Sequence, residues 1–322
     1  MQNALRETLN QSAPDLAAPK LDVTAAFAAA NLINLGFDVD SIRQLVDSWT
    51  QKQLRHSKLQ ALDFVNQITF ALGAIEKLQP GHLYASFHFS AYQALYIALA
   101  QHDPQRRVLS LVGEQSVENQ RILEVLGKSQ GINISFVTSG YSMLRQLREG
   151  RAQGTSVLIL IDVPWSADGA VKDAKYKFAR GTILGLSAVE RLVAKIDPDF
   201  KVVIPRMEDG RINIDSVPGN NFTDYLGHFG SLLLASPTDY ERLDRLHRYC
   251  VFDRPRNALI AFSVGAQAQY ILHTASMRTF ELKIDSTLSN VLRSSIGVTR
   301  DPKALAVGSA VVGGDLEFIL SL

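Results

Sequence analysis

LYASFHFSAYQ, residues 83–93, joins a short apolar run to an amphipathic one through a single histidine. The apolar run Leu83–Phe87 follows a Pro-Gly pair, and a run of this length beside turn residues predicts a buried strand. The apolar residues of Ala91–Ala100 predict a helix. The segment therefore predicts a strand that delivers His88 into a turn, and the turn opens a helix.

The same alternation of short apolar runs with amphipathic runs continues to about residue 205. Strands that alternate with helices in this way build a largely parallel sheet. We predict further strands at Arg107–Val112, Asn133–Val137, Ser156–Ile161 and Lys201–Pro205, and further helices at Glu118–Leu126, Ser142–Glu149 and Leu186–Lys195. The reactive groups of such a sheet lie beyond the carboxyl ends of its strands, which is where His88, Glu114 and Asp162 fall.

Helical periodicity precedes this core. Apolar residues recur at three- and four-residue spacing from about residue 25 to Gly36, and again after Asp38, and a third helix is predicted over Ser57–Glu76. Beyond Phe252 the pattern mixes both types. We therefore predict an α/β protein whose mostly parallel sheet is flanked by helices, with an N-terminal helical layer. The predicted segments are a helical region at 1–80, an α/β core at 81–251 and a C-terminal extension or subdomain at 252–322.

Composition and charge exclude several functional classes. Of the 322 residues, 46% are hydrophobic and 20% are charged, as in chains that bury a sizeable core. The 33 basic residues are balanced by 32 acidic ones, so we expect no nucleic-acid partner. Cys250 is the only cysteine and the histidines are scattered, so no metal site is expected. The absence of a signal-peptide pattern and of long apolar stretches predicts a cytoplasmic protein with at most peripheral membrane contact.

Three segments could carry chemistry. A neutral imidazole at His88 can take a proton from an attacking hydroxyl or amine, although a buried histidine satisfied by the backbone fits the same pattern. Asp162 ends an apolar strand, either as a site acid or as a cap for the next loop. Residues 176–187, YKFARGTILGLS, lead into a predicted helix, and amides at a helix start beside Arg180 can hold an anion. A solvated loop with a cap is the alternative for this block.

In this order and spacing, the three segments resemble the lysophospholipid acyltransferase superfamily, and within it the bacterial lipid A late acyltransferase branch. The resemblance spans about Ala25 to Asp215. It implies acyl transfer from a thioester to a hydroxyl or amine, with His88 as the base and no covalent enzyme intermediate. The sequence departs from the branch where Gln93 replaces the glutamate that orients the histidine. Gln93 can orient the ring through its carbonyl oxygen, but it carries no charge to stabilise an imidazolium.

The resemblance also implies a substrate site and its partners. The donor is an acyl carrier protein or acyl-CoA, so the thioester of phosphopantetheine or CoA is a co-substrate and no cofactor is bound. The acceptor is expected to be a small or carrier-tethered molecule of lipid or secondary-metabolite biosynthesis, because residues 113–119, GEQSVEN, are acidic and amide-rich rather than basic. The expected substrate-binding residues are Ser90, Tyr92, Glu114, Asp162, Phe178, Arg180, Gly181 and Thr182.

Two other functions remain open at this point. The chain could be a non-catalytic protein that binds an acyl chain or an acyl carrier, or a thioesterase-like hydrolase that uses water as the acceptor. A serine nucleophile is disfavoured, because Ser86 lacks flanking glycines. The arginine-rich stretch over residues 239–256 suggests a docking patch for an acidic carrier protein, but its net charge is only +1, which is more typical of a mixed, solvated helix face.

Overall fold

The computed structural model describes residues 18–57, 68–112, 124, 127–128, 130–138, 142–164, 174–264, 268–282 and 297–322. The helices in these ranges are α1 (Ala18–Asn34), α2 (Val39–Ser57), α3 (Ala94–Ala100), α4 (Met143–Ala152), α5 (Ser187–Ile196), α6 (Phe222–Ala235) and α7 (Pro302–Val312). The strands that precede β7 are β1 (Leu83–Ser86), β2 (Arg107–Val112), β3 (Asn133–Thr138), β4 (Ser156–Leu160), β5 (Lys175–Phe178) and β6 (Gly181–Leu184). The later strands are β7 (Lys201–Glu208), β8 (Arg211–Ser216), β9 (Cys250–Phe252), β10 (Leu259–Val264), β11 (Ala268–His273), β12 (Arg278–Leu282), β13 (Gly297–Thr299) and β14 (Ile319–Ser321).

The described chain divides into two compact units, and each unit is discontinuous in sequence. The first contains the described parts of His56–Tyr176 and Ile183–Phe229, and the second contains 18–55, Lys177–Thr182 and Gly230–Leu322. The helices α1 and most of α2 therefore share a unit with the C-terminal segment of the chain. This grouping cuts across the three consecutive segments that the sequence suggested.

The first unit is an α/β structure with a mostly parallel sheet, as predicted. Its strands lie in the order β3-β2-β4-β1-β7-β8. Every neighbouring pair is parallel except β7 and β8. The five predicted strands are confirmed, with ends shifted by at most three residues. The helix predicted at Glu118–Leu126 falls almost wholly outside the described residues.

The chain path places a topological switch point between β4 and β1. From β1 the chain crosses over β4 to reach β2, whereas from β4 it crosses over β1 in the opposite direction to reach β7. Parallel crossovers are right-handed, so α3 covers one face of the sheet while α4 and α5 cover the other. At such a point the connections that follow two neighbouring strands leave toward opposite faces of the sheet. Open α/β sheets bind ligands beyond the carboxyl ends of these two strands.

The core of this unit lies around β1 and α3. All four residues of β1 and all seven of α3 are buried. A central strand of a parallel sheet is covered on both faces, which explains its continuous apolar sequence.

One predicted helix is wrong in its described part. The third helix was expected to run to Glu76, but Phe70 forms a parallel bridge with Ile212 of the edge strand β8. The amide of Ala71 donates to the carbonyl of Ile212 at 2.8 Å, and the amide of Ile212 donates to Thr69 at 2.8 Å. These bonds to β8 replace the bonds that a helix would make. Residues 58–67 lie outside the described residues.

The second unit contains a five-stranded sheet in the order β12-β11-β10-β14-β13. Its pairs are antiparallel except β10 with β14. Helix α1 packs against β10, and α7 packs against the core formed by Leu259, Ala261 and Ile271. The buried side chain of Asn34 donates to the carbonyl of Thr274 at 3.0 Å and accepts from the amide of Arg256 at 3.0 Å. Such bonds tie the N-terminal helix to segments more than 200 positions away.

A buried carboxylate fixes the amino-terminal end of β1. Asp197 is only 3% exposed, and its Oδ2 accepts the Leu83 amide at 3.1 Å and lies 2.7 Å from Nη2 of Arg151. Arg151 also donates through Nε to the carbonyl of Gly81 at 3.1 Å. The carboxylate of this ion pair is therefore buried, while the guanidinium is partly exposed. The pair holds the amino-terminal end of β1, and His88 follows the carboxyl end of the same strand.

We expect Asp197→Ala to lower the free energy of unfolding by about 2–4 kcal/mol, because it leaves a partly buried guanidinium and a buried amide without their partner. Urea unfolding would measure this loss. Asp199→Ala is the control, since that exposed side chain lies two positions along and only its backbone amide bonds to Asp197, and it should change stability by less than about 0.5 kcal/mol. Equal stability of the two variants would contradict the assignment.

A histidine in the second unit is held neutral by its surroundings. The ring of His247 stacks on Phe27 with centroids 4.7 Å apart, and its Nδ1 lies 3.3 Å from the amide nitrogen of Asn31. Burial and the charge of Arg248 lower the pKa of His247 to about 4, from 6.5. Since the Asn31 amide donates, Nδ1 of the neutral ring accepts.

The lowered pKa of His247 predicts a pH dependence of stability. Between pH 6.5 and 4 the unfolded chain binds a proton that the folded chain does not, so stability falls as the pH falls through this window and is unaffected above it. We expect the wild type to lose about 1–2 kcal/mol more than His247→Gln between pH 7 and pH 4.5, allowing for the partial exposure of the ring. Urea unfolding at both pH values measures the difference, and parallel losses would contradict it.

Candidate active site

The register of β1 and β4 brings His88 and Asp162 together. The two strands are parallel, with Ser86 opposite Leu160. Each strand is followed by one more residue and then by the polar side chain, so His88 and Asp162 leave the sheet at the same level. Nδ1 of His88 lies 2.9 Å from Oδ1 of Asp162. The pair therefore lies at the carboxyl ends of β1 and β4, at the switch point where their connections diverge.

The geometry of the pair selects one tautomer of the imidazole. Asp162 has no exposed side-chain surface, whereas the His88 side chain is 13% exposed. The carboxylate also accepts the backbone amide of His88, at 3.2 Å to each oxygen. An ionised carboxylate only accepts hydrogen bonds, so the neutral imidazole in this position carries its proton on Nδ1 and keeps the lone pair of Nε2. This is the arrangement that a general base requires.

Aromatic rings hold the strand end that carries His88. The preceding residue, Phe87, stacks on Phe229 with ring centroids 4.1 Å apart, and the following residue, Phe89, meets the same ring edge to face at 5.8 Å. Tyr92 packs its ring edge to face against the imidazole at 5.3 Å. The backbone on both sides of His88 is thus anchored to one buried ring.

The two serines of this segment have different surroundings. Ser90 adopts a positive φ of 53°, a left-handed conformation that costs a non-glycine residue about 1–2 kcal/mol and turns the chain sharply after Phe89. Ser86 is fully buried, and its hydroxyl donates to the carbonyl of Val203 at 2.7 Å. Ser86 is therefore occupied in holding β1 to β7.

Gln93 does not make the contact that the sequence suggested. It lies at the N-cap of α3, and its Oε1 is buried with no hydrogen-bond partner within the described part of the chain. The imidazole bonds instead to Asp162, which the sequence offered only as a site acid or a loop cap. The sequence signal for this pair was present, since both residues follow predicted strands, but the adjacency of those strands was not predicted.

The block around Arg180 has a different structure from the predicted helix start. Gly181 and Thr182 lie in β6, and the helix α5 begins only at Ser187. A Cβ on Gly181 would lie 2.6 Å from the carbonyl oxygen of Val251, so glycine is required for close approach of β9. The amides of this segment therefore serve strand packing and not a helix N-terminus.

The other predicted substrate residues are distributed over both units. Phe178 is fully buried in β5. Arg180 is exposed, and its Nη1 donates to the carbonyl of Gly36 at 3.4 Å. Arg180, Gly181 and Thr182 belong to the second unit, whereas His88 and Asp162 belong to the first. Glu114 lies outside the described residues.

Other chemistries find little support in the described residues. No group of three or more metal-ligating side chains occurs among them. Burial raises the pKa of the Cys250 thiol to about 12, so it is not an activated nucleophile. Within the same ranges, no helix has both the length and the apolar character to cross a membrane.

No protein-family model matches the chain, and no curated protein is significantly similar to it in sequence.

Proposed function

We propose that this protein transfers an acyl group from a thioester donor to a hydroxyl or amine, with His88 as the general base and Asp162 as the residue that orients it. The observation that carries the proposal is the 2.9 Å contact between Nδ1 of His88 and Oδ1 of Asp162 at the diverging strand ends. It leaves Nε2 as the only ring nitrogen with a free lone pair. Positioned bases of this kind contribute about 10²–10⁴-fold to a rate.

The proposed reaction needs no covalent enzyme intermediate. Nε2 takes the proton from the acceptor as its oxygen or nitrogen attacks the thioester carbonyl carbon. The tetrahedral intermediate then expels the thiolate, which takes the proton from the imidazolium. The products are the acylated acceptor and a free thiol. The buried charge of Asp162 stabilises the imidazolium between these two steps.

The resemblance of the His88–Gln93 segment to the lipid A late acyltransferases supports a thioester donor. The replacement of glutamate by Gln93 weakens that argument less than the sequence alone implied, because Asp162 supplies a carboxylate to the same imidazole. We propose an acyl carrier protein or acyl-CoA as the donor and a small or carrier-tethered molecule as the acceptor. We further propose a cytoplasmic location with at most peripheral membrane contact.

Hydrolysis is the second candidate, because the free Nε2 of His88 could equally deprotonate water. The buried thiol of Cys250 and the occupied hydroxyl of Ser86 favour direct attack by water or acceptor over a covalent route. A non-catalytic acyl-binding protein is the remaining alternative.

Intact-mass analysis of the donor distinguishes these functions. Acyl carrier proteins and acyl-CoA of several chain lengths would be incubated with the protein and a pool of amines and alcohols. Acceptor-dependent loss of the acyl mass is expected. Free acid released without any acceptor would assign a hydrolase. A donor that stays intact and co-purifies with the protein would overturn catalysis and favour the binding function.

A further inference from the structure

Three exposed arginines belong to segments that adjoin the strand β9 in the second unit, two of them along the chain and one through a backbone hydrogen bond. Arg180, Arg248 and Arg254 are all exposed, and none of them makes an ion pair within the described ranges. We name these three residues, together with Val251, the β9 patch.

The β9 patch has an apolar centre. Within β9, Cys250 and Phe252 are buried, whereas Val251 is 58% exposed. This alternation places Val251 on the outer face of the strand. Arg248 precedes it by three residues and Arg254 follows it by three.

The β5–β6 hairpin adds the third cation. The carbonyl of Arg180 accepts the amide of Asp253 at 3.0 Å, so the hairpin turn lies against the residues that follow β9. Arg180 is about 70 positions before the residues that follow β9. A count of charges over residues 239–256 therefore did not include it.

The acidic residues of this region are already paired. The sequence stretch has a net charge near zero, yet its carboxylates lie beside cations outside the patch. The ion pairs are Arg242 with Glu241 at 3.5 Å, Arg245 with Asp244 at 3.6 Å, Lys177 with Asp253 at 2.5 Å and Arg256 with Glu317 at 2.7 Å. The charge of Arg248 also acts on Asp244, and Arg180 donates to the carbonyl of Gly36, but within the described ranges none of the three patch arginines forms an ion pair.

We infer that the β9 patch docks an acidic carrier protein that bears the acyl thioester, an inference that rests on the proposed function. Guanidinium groups recognise carboxylates with two parallel hydrogen bonds, and an apolar centre within a charged rim is the usual anatomy of a protein interface. A membrane fits less well, since three cations and one valine supply a single weak anchoring signal. Nucleic acid fits less well, because its binding scales with the number of phosphates neutralised.

A binding measurement tests the patch separately from catalysis. Fluorescently labelled holo-acyl carrier protein would be titrated with the wild type and with a triple variant, Arg180→Glu, Arg248→Glu and Arg254→Glu. We expect at least 30-fold weaker binding, on the order of the coupling of close charge pairs across interfaces, and a loss of its salt dependence. The control carries Arg211→Glu, Arg278→Glu and Lys303→Glu, three exposed cations outside the patch, and should bind as the wild type does.

Turnover of acyl-CoA separates failure of the patch from failure of the proposed function. We expect the double variant Arg248→Glu and Arg254→Glu, which leaves the predicted substrate residue Arg180 unchanged, to retain wild-type turnover with acyl-CoA, because CoA needs no protein docking surface. If the patch variant and the control variant bind the carrier equally well, the patch is not the docking site. Turnover of acyl-CoA in that case would still support the proposed function. Patch-dependent binding to phosphatidylserine vesicles without carrier binding would assign a membrane contact instead. If the triple variant unfolds, Val251→Asp provides the same test with one substitution, and unchanged carrier binding would overturn the patch.

Discussion

Replacing His88 with glutamine is expected to reduce acyl transfer by about 10⁴-fold while the protein remains folded. The glutamine amide can still donate to the buried carboxylate of Asp162, so the carboxylate keeps a partner, but no group remains that can accept the proton of the acceptor. Single-turnover measurement of donor consumption would report the loss. The effect should appear in kcat, because the imidazole accepts a proton in the transition state and does not contribute to donor binding.

A second histidine of the same unit provides the control for His88. His102 lies beyond the other end of α3, where its Nε2 bonds to the carbonyl of Ile75 at 2.9 Å. His102→Gln should leave the rate within about twofold of the wild type, since His102 lies at the other end of α3 from the His88–Asp162 pair. Equal activity of His88→Gln and the wild type would remove His88 from the mechanism.

Asp162→Asn is the second substitution with a large expected effect, a fall in kcat of about 10³–10⁴-fold. Asparagine can donate its amide proton to Nδ1, which moves the ring proton to Nε2 and blocks the base. It also removes the charge that stabilises the imidazolium. The comparable loss of the acid in a serine-protease triad costs about 10⁴-fold, mostly through the wrong tautomer.

Gln93→Ala is the matched control for Asp162→Asn, because both residues were candidates to orient the imidazole. With Asp162 in place, we expect removal of the Gln93 amide to change kcat by less than about fivefold. If Gln93→Ala instead lost as much activity as Asp162→Asn, the orienting role would belong to both side chains and Asp162 alone would not suffice.

The parallel sheet was predictable from sequence because its strands are short apolar runs bounded by turn residues. His88 was predictable as a candidate because it ends one of these runs. Its pairing with Asp162 was not, because it depends on strand order. β4 forms between β2 and β1, and nothing in the local pattern of residues 156–162 specifies which strand becomes its neighbour.

Errors in the sequence interpretation have a common physical cause in long-range contacts. The segment around Phe70 has a helical pattern, but its backbone bonds to Ile212 on the edge strand. The amides near Gly181 were expected to hold an anion at a helix start, yet this glycine serves the close approach of β9. The tie between Asn34 and Thr274 joins residues at opposite ends of the chain. The periodicity of apolar residues indicates which face of a helix or strand is buried. It does not indicate which other segment of the chain packs against that face.

The most direct test of the His88–Asp162 pair requires no knowledge of the substrate. Long-range proton–nitrogen NMR of the imidazole rings reports which ring nitrogen of His88 carries the proton at neutral pH, with His88→Gln used to assign the signal. We expect a protonated Nδ1 and an unprotonated Nε2 in the wild type and in Gln93→Ala, and a reversed tautomer in Asp162→Asn. A proton on Nε2 in the wild type would contradict the assignment of His88 as a base oriented by Asp162.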